Sequence, residues 1–206
     1  MTFPDDKFAD VAAYCDAYFN ETAKAAACVD RAELARAAEV LADNYGREAT
    51  LFVCGNGGSA AIANSFVCDH EKLIQTDTTI NPRVVSLAAN IPMMTAIAND
   101  ISYDDIFLYQ LKSQARYGDA LLTVSASGDS ENVVRAGLWA RENRMEVISL
   151  TGFDGGRTAE LATVHLHVAA DNYGVVEDIH QGLMHLLAQF IRQSHMTAGL
   201  IAGRKF

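Results

Sequence analysis

A chain of 206 residues, half of them apolar, has room for one sizeable domain with a large core. Its formal net charge of −10, with no lysine- or arginine-rich run, excludes the cationic footprint that DNA or RNA binding requires. No apolar run reaches the ~18 residues of a membrane span, and the opening MTFPDDKFAD lacks the basic-then-apolar layout of a secretory signal. From Phe8 to about Tyr45, apolar residues recur at three- and four-residue intervals, which predicts two helices with Asp30 as the cap between them. Gly46 is expected to close the second. Short apolar runs follow at 50–54, 84–88, 120–125, 146–151 and 163–168, with helical periods between them, such as ENVVRAGLWARENR at 131–144. Strands alternating with helices, and lacking strict apolar–polar alternation, predict a parallel sheet buried on both faces. A last long helix runs from about Val175 to beyond Ile191. Residues 1–206 thus read as a single α/β domain, with a helical pair over 1–46 and the core and C-terminal helix over 47–206. Cys15, Cys28, Cys54 and Cys68 show no CxxC spacing and read as free buried thiols of a reducing cytoplasm.

Two junctions stand out. LFVCGNGGSAA and LLTVSASGDSENV each run strand, small-residue loop, helix, which places two polar loops at the carboxyl ends of two strands. Ligands of doubly wound sheets bind along that edge. In CGNGGS, Gly55, Gly57 and Gly58 let several N–H groups approach one anion at a helix N-terminus. The loop is neither a Walker loop nor GxGxxG. SASGDS adds three hydroxyls around a glycine, a phosphate cradle with no cationic residue of its own. Read blandly, the same serines are helix caps and short turns.

CGNGGSAA, AIAND, SASGDSENVVRA and VISLTGFDGG together resemble the SIS (sugar isomerase) domain family, and more narrowly the phosphoheptose isomerases. The resemblance implies a flavodoxin-like three-layer α/β/α sandwich with a five-stranded parallel sheet, and a homotetramer with active sites at its interfaces. It implies that Asn56, Gly57, Gly58 and Ser59 line a phosphorylated sugar and that Asn99 and Asp100 contact it. Ser125, Ser127 and Ser130 would hold its phosphate. Ala126 stands where the family usually has threonine.

Aldose–ketose isomerisation moves a proton between adjacent carbons through an enediol, so it needs a base over C1 and C2 and an acid at the oxygen. The family carries His-x-x-x-Glu after the glycine loop, and a glutamine and a histidine eight residues apart on the last helix; these four can ligate zinc. Here the matching positions are Ser65, Asp69, Glu177 and His185, and only His185 is unchanged. Asp69 is one methylene short, a retraction of ~1–1.5 Å on ordinary bond lengths. Such a misplacement can cost ~100-fold in rate unless the backbone compensates. Asp69 and His185 are the expected catalytic pair, Glu177 a further substrate contact, and Asp69, Glu177 and His185 a possible three-ligand zinc site. Their bland reading is a hydrogen-bonded network at a subunit interface. His180, three residues beyond Glu177, is placed to back it up. His70 points about 100° away from Asp69's direction and could reach only a neighbouring subunit. His165 and His167 share one sheet face and read as structural.

The expected function is a cytoplasmic isomerase of sedoheptulose 7-phosphate, feeding a heptose-containing lipopolysaccharide or capsule product. No nucleotide cofactor is expected. Loss of the His-x-x-x-Glu pair also allows a non-enzymatic alternative, an SIS-domain protein that binds the replication initiator or senses a sugar phosphate.

Overall fold

The computed structural model describes residues 3–206. Helix α1 (Val11–Cys28) starts where Asp10 accepts the Ala13 N–H at 2.9 Å. Helix α2 (Arg31–Gly46) starts on Asp30, whose Oδ1 accepts from the N–H groups of Ala32 and Glu33. Asp30 is therefore the cap its position suggested. Gly46 does not close α2 in the expected way. It is the last helical residue, and the left-handed turn falls on Glu48 at φ 56°. The Ala49 N–H then reaches back to the Asn44 carbonyl at 3.1 Å, which satisfies an end carbonyl of the helix.

The remaining elements alternate: β1 (Thr50–Cys54), α3 (Gly58–Val67), β2 (Arg83–Ser86), α4 (Ile91–Asp100), α5 (Ile106–Gln114), β3 (Ala120–Ser125), α6 (Glu131–Glu142), β4 (Glu146–Thr151), α7 (Gly156–Leu161), β5 (Val164–His167), α8 (Tyr173–His195) and α9 (Ala198–Ile201). A π-helical turn, Cys68–Leu73, follows α3 directly, and a short 3₁₀ turn, Tyr103–Asp105, precedes α5. All strand pairs are parallel, in the order β2-β1-β3-β4-β5. This is the flavodoxin-like order, whose switch point lies between β1 and β3, where their loops diverge. One sheet face packs Leu51, Val53, Leu122, Val124, Ile148 and Leu166 against α2, α3 and α8. The other packs Phe52, Cys54, Leu121 and Val147 against α4, α5 and α6. Alternate residues of β1 to β4 thus feed two separate cores, which is why the inner strands read as continuous apolar runs, while β5 turns only Val164 and Leu166 into the first. Among the described residues no helix is long and apolar enough to cross a membrane.

Three expectations change here. Only Cys54 is a buried thiol, its pKa pushed up to about 12 by burial; Cys15, Cys28 and Cys68 are exposed. His70 is fully buried, its Nδ1 2.7 Å from the Tyr45 hydroxyl and its ring stacked on Phe66 at 3.8 Å, so it reaches no neighbouring subunit. His180 is equally buried and its Nε2 donates to the Thr151 carbonyl at 3.1 Å, which makes it a tie between α8 and β4 rather than support for Glu177. His165 and His167 do share a face. Both bond the Thr151 hydroxyl, a structural role.

The C-terminal residues pack back onto the fold. The Arg192 guanidinium, nearly inaccessible, bonds the Thr76 carbonyl and the Asp77 carboxylate and lies over the Phe206 ring; Arg204 bonds the same carboxylate. Ile201 and Phe206 then line a groove of about 600 Å³ with His185, Leu186 and Phe190.

Burial pushes His70 down to about 3 and His180 to about 4, so both stay neutral in the fold while an unfolded chain takes up protons near pH 6.5. In that window the unfolded state binds more protons, so acid favours it. Stability is expected to fall as pH drops from about 6.5 towards 4, by as much as ~1.4 kcal/mol per pH unit for each imidazole. Thermal melts between pH 7.5 and 4.5 check this, and substitution of either histidine should flatten the curve.

Candidate active site

The loop after β1 is built for close approach. Gly57 adopts φ 54° and stands at the N-terminus of α3 with no side chain around it. A Cβ on Gly58 would lie 2.3 Å from an Oε of Glu177, so the carboxylate sits directly on the glycine loop. Burial, then the nearby Asp178 charge, raises the pKa of Glu177 above the ordinary carboxylate range. Ser59 is buried in the first turn of α3.

The loop after β3 turns on its own hydroxyls. The Ser125 Oγ accepts the Gly128 N–H at 3.2 Å, and the Ser127 Oγ accepts the Asp129 N–H at 3.3 Å. Both oxygens thus shape the turn, and each hydroxyl keeps its own proton to donate. Ser130 occupies the cap position of α6, yet its side chain makes no cap bond, which leaves the hydroxyl available. The sequence placed no cation at this loop, but the fold supplies one. Arg157 of α7 bonds the Asp129 carboxylate and carbonyl, and Glu131 at 2.8 Å. Nothing in local spacing signals that contact, because the partners meet only through the β3–β4 pairing.

Two further side chains absent from the sequence reading join the loops. Asn56 and Asn132 exchange reciprocal amide bonds at 2.8 and 3.1 Å, and the Tyr103 hydroxyl reaches Asn56 Oδ1 at 3.0 Å. Asn99 and Asp100, both exposed at the end of α4, bond each other at 2.7 Å, and the turn that follows them carries Tyr103. The AND turn thus borders the glycine loop through Tyr103.

Farther along the same two helices, Asp69 and His185 are in direct contact, Oδ2 to Nδ1, despite the shorter side chain. Asp69 lies in the π-helical turn, where the wider backbone alters the direction that an α-helix would give it. Gln181, one turn before His185, places its Nε2 2.9 Å from His185 Nε2. His185 is thus held at both ring nitrogens, by the Asp69 carboxylate at Nδ1 and the Gln181 amide at Nε2. Ser65 is half-buried on α3.

Of the three residues expected to hold zinc, Asp69 and His185 meet while Glu177 lies against Gly58, and among the described residues no three His, Cys, Asp or Glu side chains gather to hold a metal ion.

The fold and the site define a doubly wound α/β protein with paired polar loops at its switch point and a carboxylate–imidazole pair beyond them. A model of the SIS domain matches residues 14–152. The phosphoheptose isomerase of Bordetella avium is 38% identical over 161 residues, covering 77% of this chain and 81% of that protein. That of Mycobacterium tuberculosis is 36% identical over 79% of this chain and 83% of its own length. The solved structure of the Neisseria gonorrhoeae phosphoheptose isomerase superimposes with a TM-score of 0.81 at 30% identity, over 89% of this chain and all of that one. The chain belongs to the SIS domain family.

Proposed function

We propose that the protein isomerises sedoheptulose 7-phosphate to an aldoheptose 7-phosphate through an enediol, as a phosphoheptose isomerase does. The observation that carries this is the Asp69–His185 pair, a ready-made base and acid set apart from the anion loops. Eight residues of α8 separate Glu177 on the glycine loop from His185, about 12 Å of helix rise.

In this reading Ser127, Ser130 and the loop N–H groups hold the phosphate, while Asn56, Asn99, Asp100 and Glu177 meet the sugar hydroxyls. Asp69 removes the proton from C1 through the oxygen not bonded to His185. A substrate oxygen takes the place of the Gln181 amide at His185 Nε2, the imidazole passes a proton between the two substrate oxygens, and Asp69 returns its own to C2. The proton ledger closes with no redox partner. Further copies of the chain are read as packing on the exposed Leu186 and Phe190 beside His185, where they would close the cleft in a tetramer.

The test is incubation with sedoheptulose 7-phosphate, followed by NMR of the anomeric region. Appearance of an aldoheptose phosphate is expected. Tight binding of the ketose without any aldose would reject the isomerase and favour the non-enzymatic alternative.

A further inference from the structure

The bond pattern around Asn56 can be oriented without ambiguity. A backbone N–H can only donate, and that of Val133, shared with the Ser130 carbonyl at 3.0 Å, points to Asn132 Oδ1 at 2.9 Å. Asn132 therefore presents its oxygen on that side and its NH₂ on the other. Its Oδ1 accepts from Asn56 Nδ2 at 2.8 Å, and its Nδ2 donates to Asn56 Oδ1 at 3.1 Å. With Asn56 so fixed, the Tyr103 hydroxyl must be a donor to the same Oδ1 at 3.0 Å. Both acceptor positions of the Asn56 oxygen are then filled, and one of its two N–H donors is spent. Only one N–H remains free.

The arrangement is anchored at each end. Asn132 is 1% exposed in the first turn of α6, two residues after the Ser130 cap. The Tyr103 turn is tied to the same helix by Arg135, which bonds Asp105 at 3.1 Å and Asp104 at 3.3 Å. Three segments are thereby linked: the glycine loop, the serine loop and the turn after Asn99–Asp100.

We propose that Asn132 and Tyr103 are positioning residues which lock the Asn56 amide so that it offers the ligand a single N–H donor and no acceptor. This rests on the sugar-phosphate reading of the same cleft. The locked amide selects a ligand oxygen that accepts, such as a phosphoryl oxygen or a hydroxyl lone pair, and it resists the amide flip that would present an oxygen to a phosphate. Neither residue touches the reacting carbons. Both act through Asn56.

The experiment measures the Kd of sedoheptulose 7-phosphate by calorimetry for the parent, Tyr103→Phe and Asn132→Ala, with kcat and KM alongside. Loss of one donor in Tyr103→Phe should weaken binding about three- to tenfold, and loss of the whole amide bridge in Asn132→Ala by about tenfold or more. Weakening is expected in KM and Kd, with kcat held within about twofold, a split that general destabilisation would not give. Tyr103 is exposed, so its variant folds even if Asn132→Ala does not. Unchanged Kd in Tyr103→Phe overturns the proposal. A parent that binds the sugar phosphate but never turns it over defeats the isomerase reading alone, since the binding arm still decides the positioning roles. A parent that does not bind it defeats both.

Discussion

Asp69→Asn is expected to lower kcat for sedoheptulose 7-phosphate by at least about hundredfold, the low end of what a positioned acid–base group contributes. Its KM should move by less than about threefold. The amide keeps the size of the carboxylate, and its oxygen still accepts the His185 Nδ1–H, so the imidazole stays in place. It cannot take a proton from carbon. Asp69→Glu separates position from chemistry. A family glutamate stands on this helix one methylene longer, yet here the side chain departs from a π-helical turn and already meets His185. The longer side chain overshoots that contact, so Asp69→Glu should lose about tenfold or more rather than gain activity. Steady-state rates for both variants, with sugar-phosphate affinity measured in parallel, decide the matter. Full turnover in Asp69→Asn would place the base elsewhere.

How much of this was legible beforehand follows from how local each signal is. The sheet was readable because its three inner strands are buried on both sides; β3 and β4 fall on the expected residues, and β2 ends two residues early, where Leu87 keeps one bond to the Val53 carbonyl and the chain turns. Asp30 was readable because a cap acts on its own next three residues. His70 was not. Its neighbour in sequence, Asp69, faces α8, while the imidazole turns into the core between Tyr45 and Phe66, contacts that no spacing rule reports. The same limit hid Arg157, Asn132 and Tyr103, each of which meets its partner across at least 26 residues of chain. The cysteines failed for a different reason: alanine-rich helices look buried throughout, although α1 has Ala25 as its one buried residue and exposes Cys15 and Cys28. The one-methylene deficit of Asp69 was legible from the sequence, whereas its contact with His185 was not. The π-helical turn that accompanies the contact carries no local mark in CDHEKL.

Gly128→Ala is expected to be the most damaging small substitution in the serine loop. Gly128 sits at φ 63°, and a Cβ there would lie 1.9 Å from the Gly155 carbonyl oxygen and 2.7 Å from its carbon. These are backbone atoms, so no rotamer change relieves the clash. The contact also holds the loop's shape: the Gly128 carbonyl accepts the Thr158 N–H at 2.9 Å, and the Ala126 carbonyl accepts the Gly152 N–H at 2.8 Å. The segment Gly152–Thr158 is thus the wall against which the serine loop is cast, which gives TGFDGG a physical reason to accompany SASGDS. Forcing the two apart should cost about 2–4 kcal/mol, adding left-handed strain to the loss of packing. For a chain of this size that corresponds to a Tm lower by roughly 5–15 °C. Sugar-phosphate affinity should fall about tenfold or more, because the serine hydroxyls and N–H groups move with the loop. Gly57→Ala is the control. Its φ of 54° also strains an L residue, but nothing lies within 4 Å of the added carbon, so its Tm should fall by the backbone strain alone and by less than that of Gly128→Ala. Equal melting temperatures for the two variants would show that backbone conformation alone governs this loop, and that the close approach to Gly155 contributes nothing.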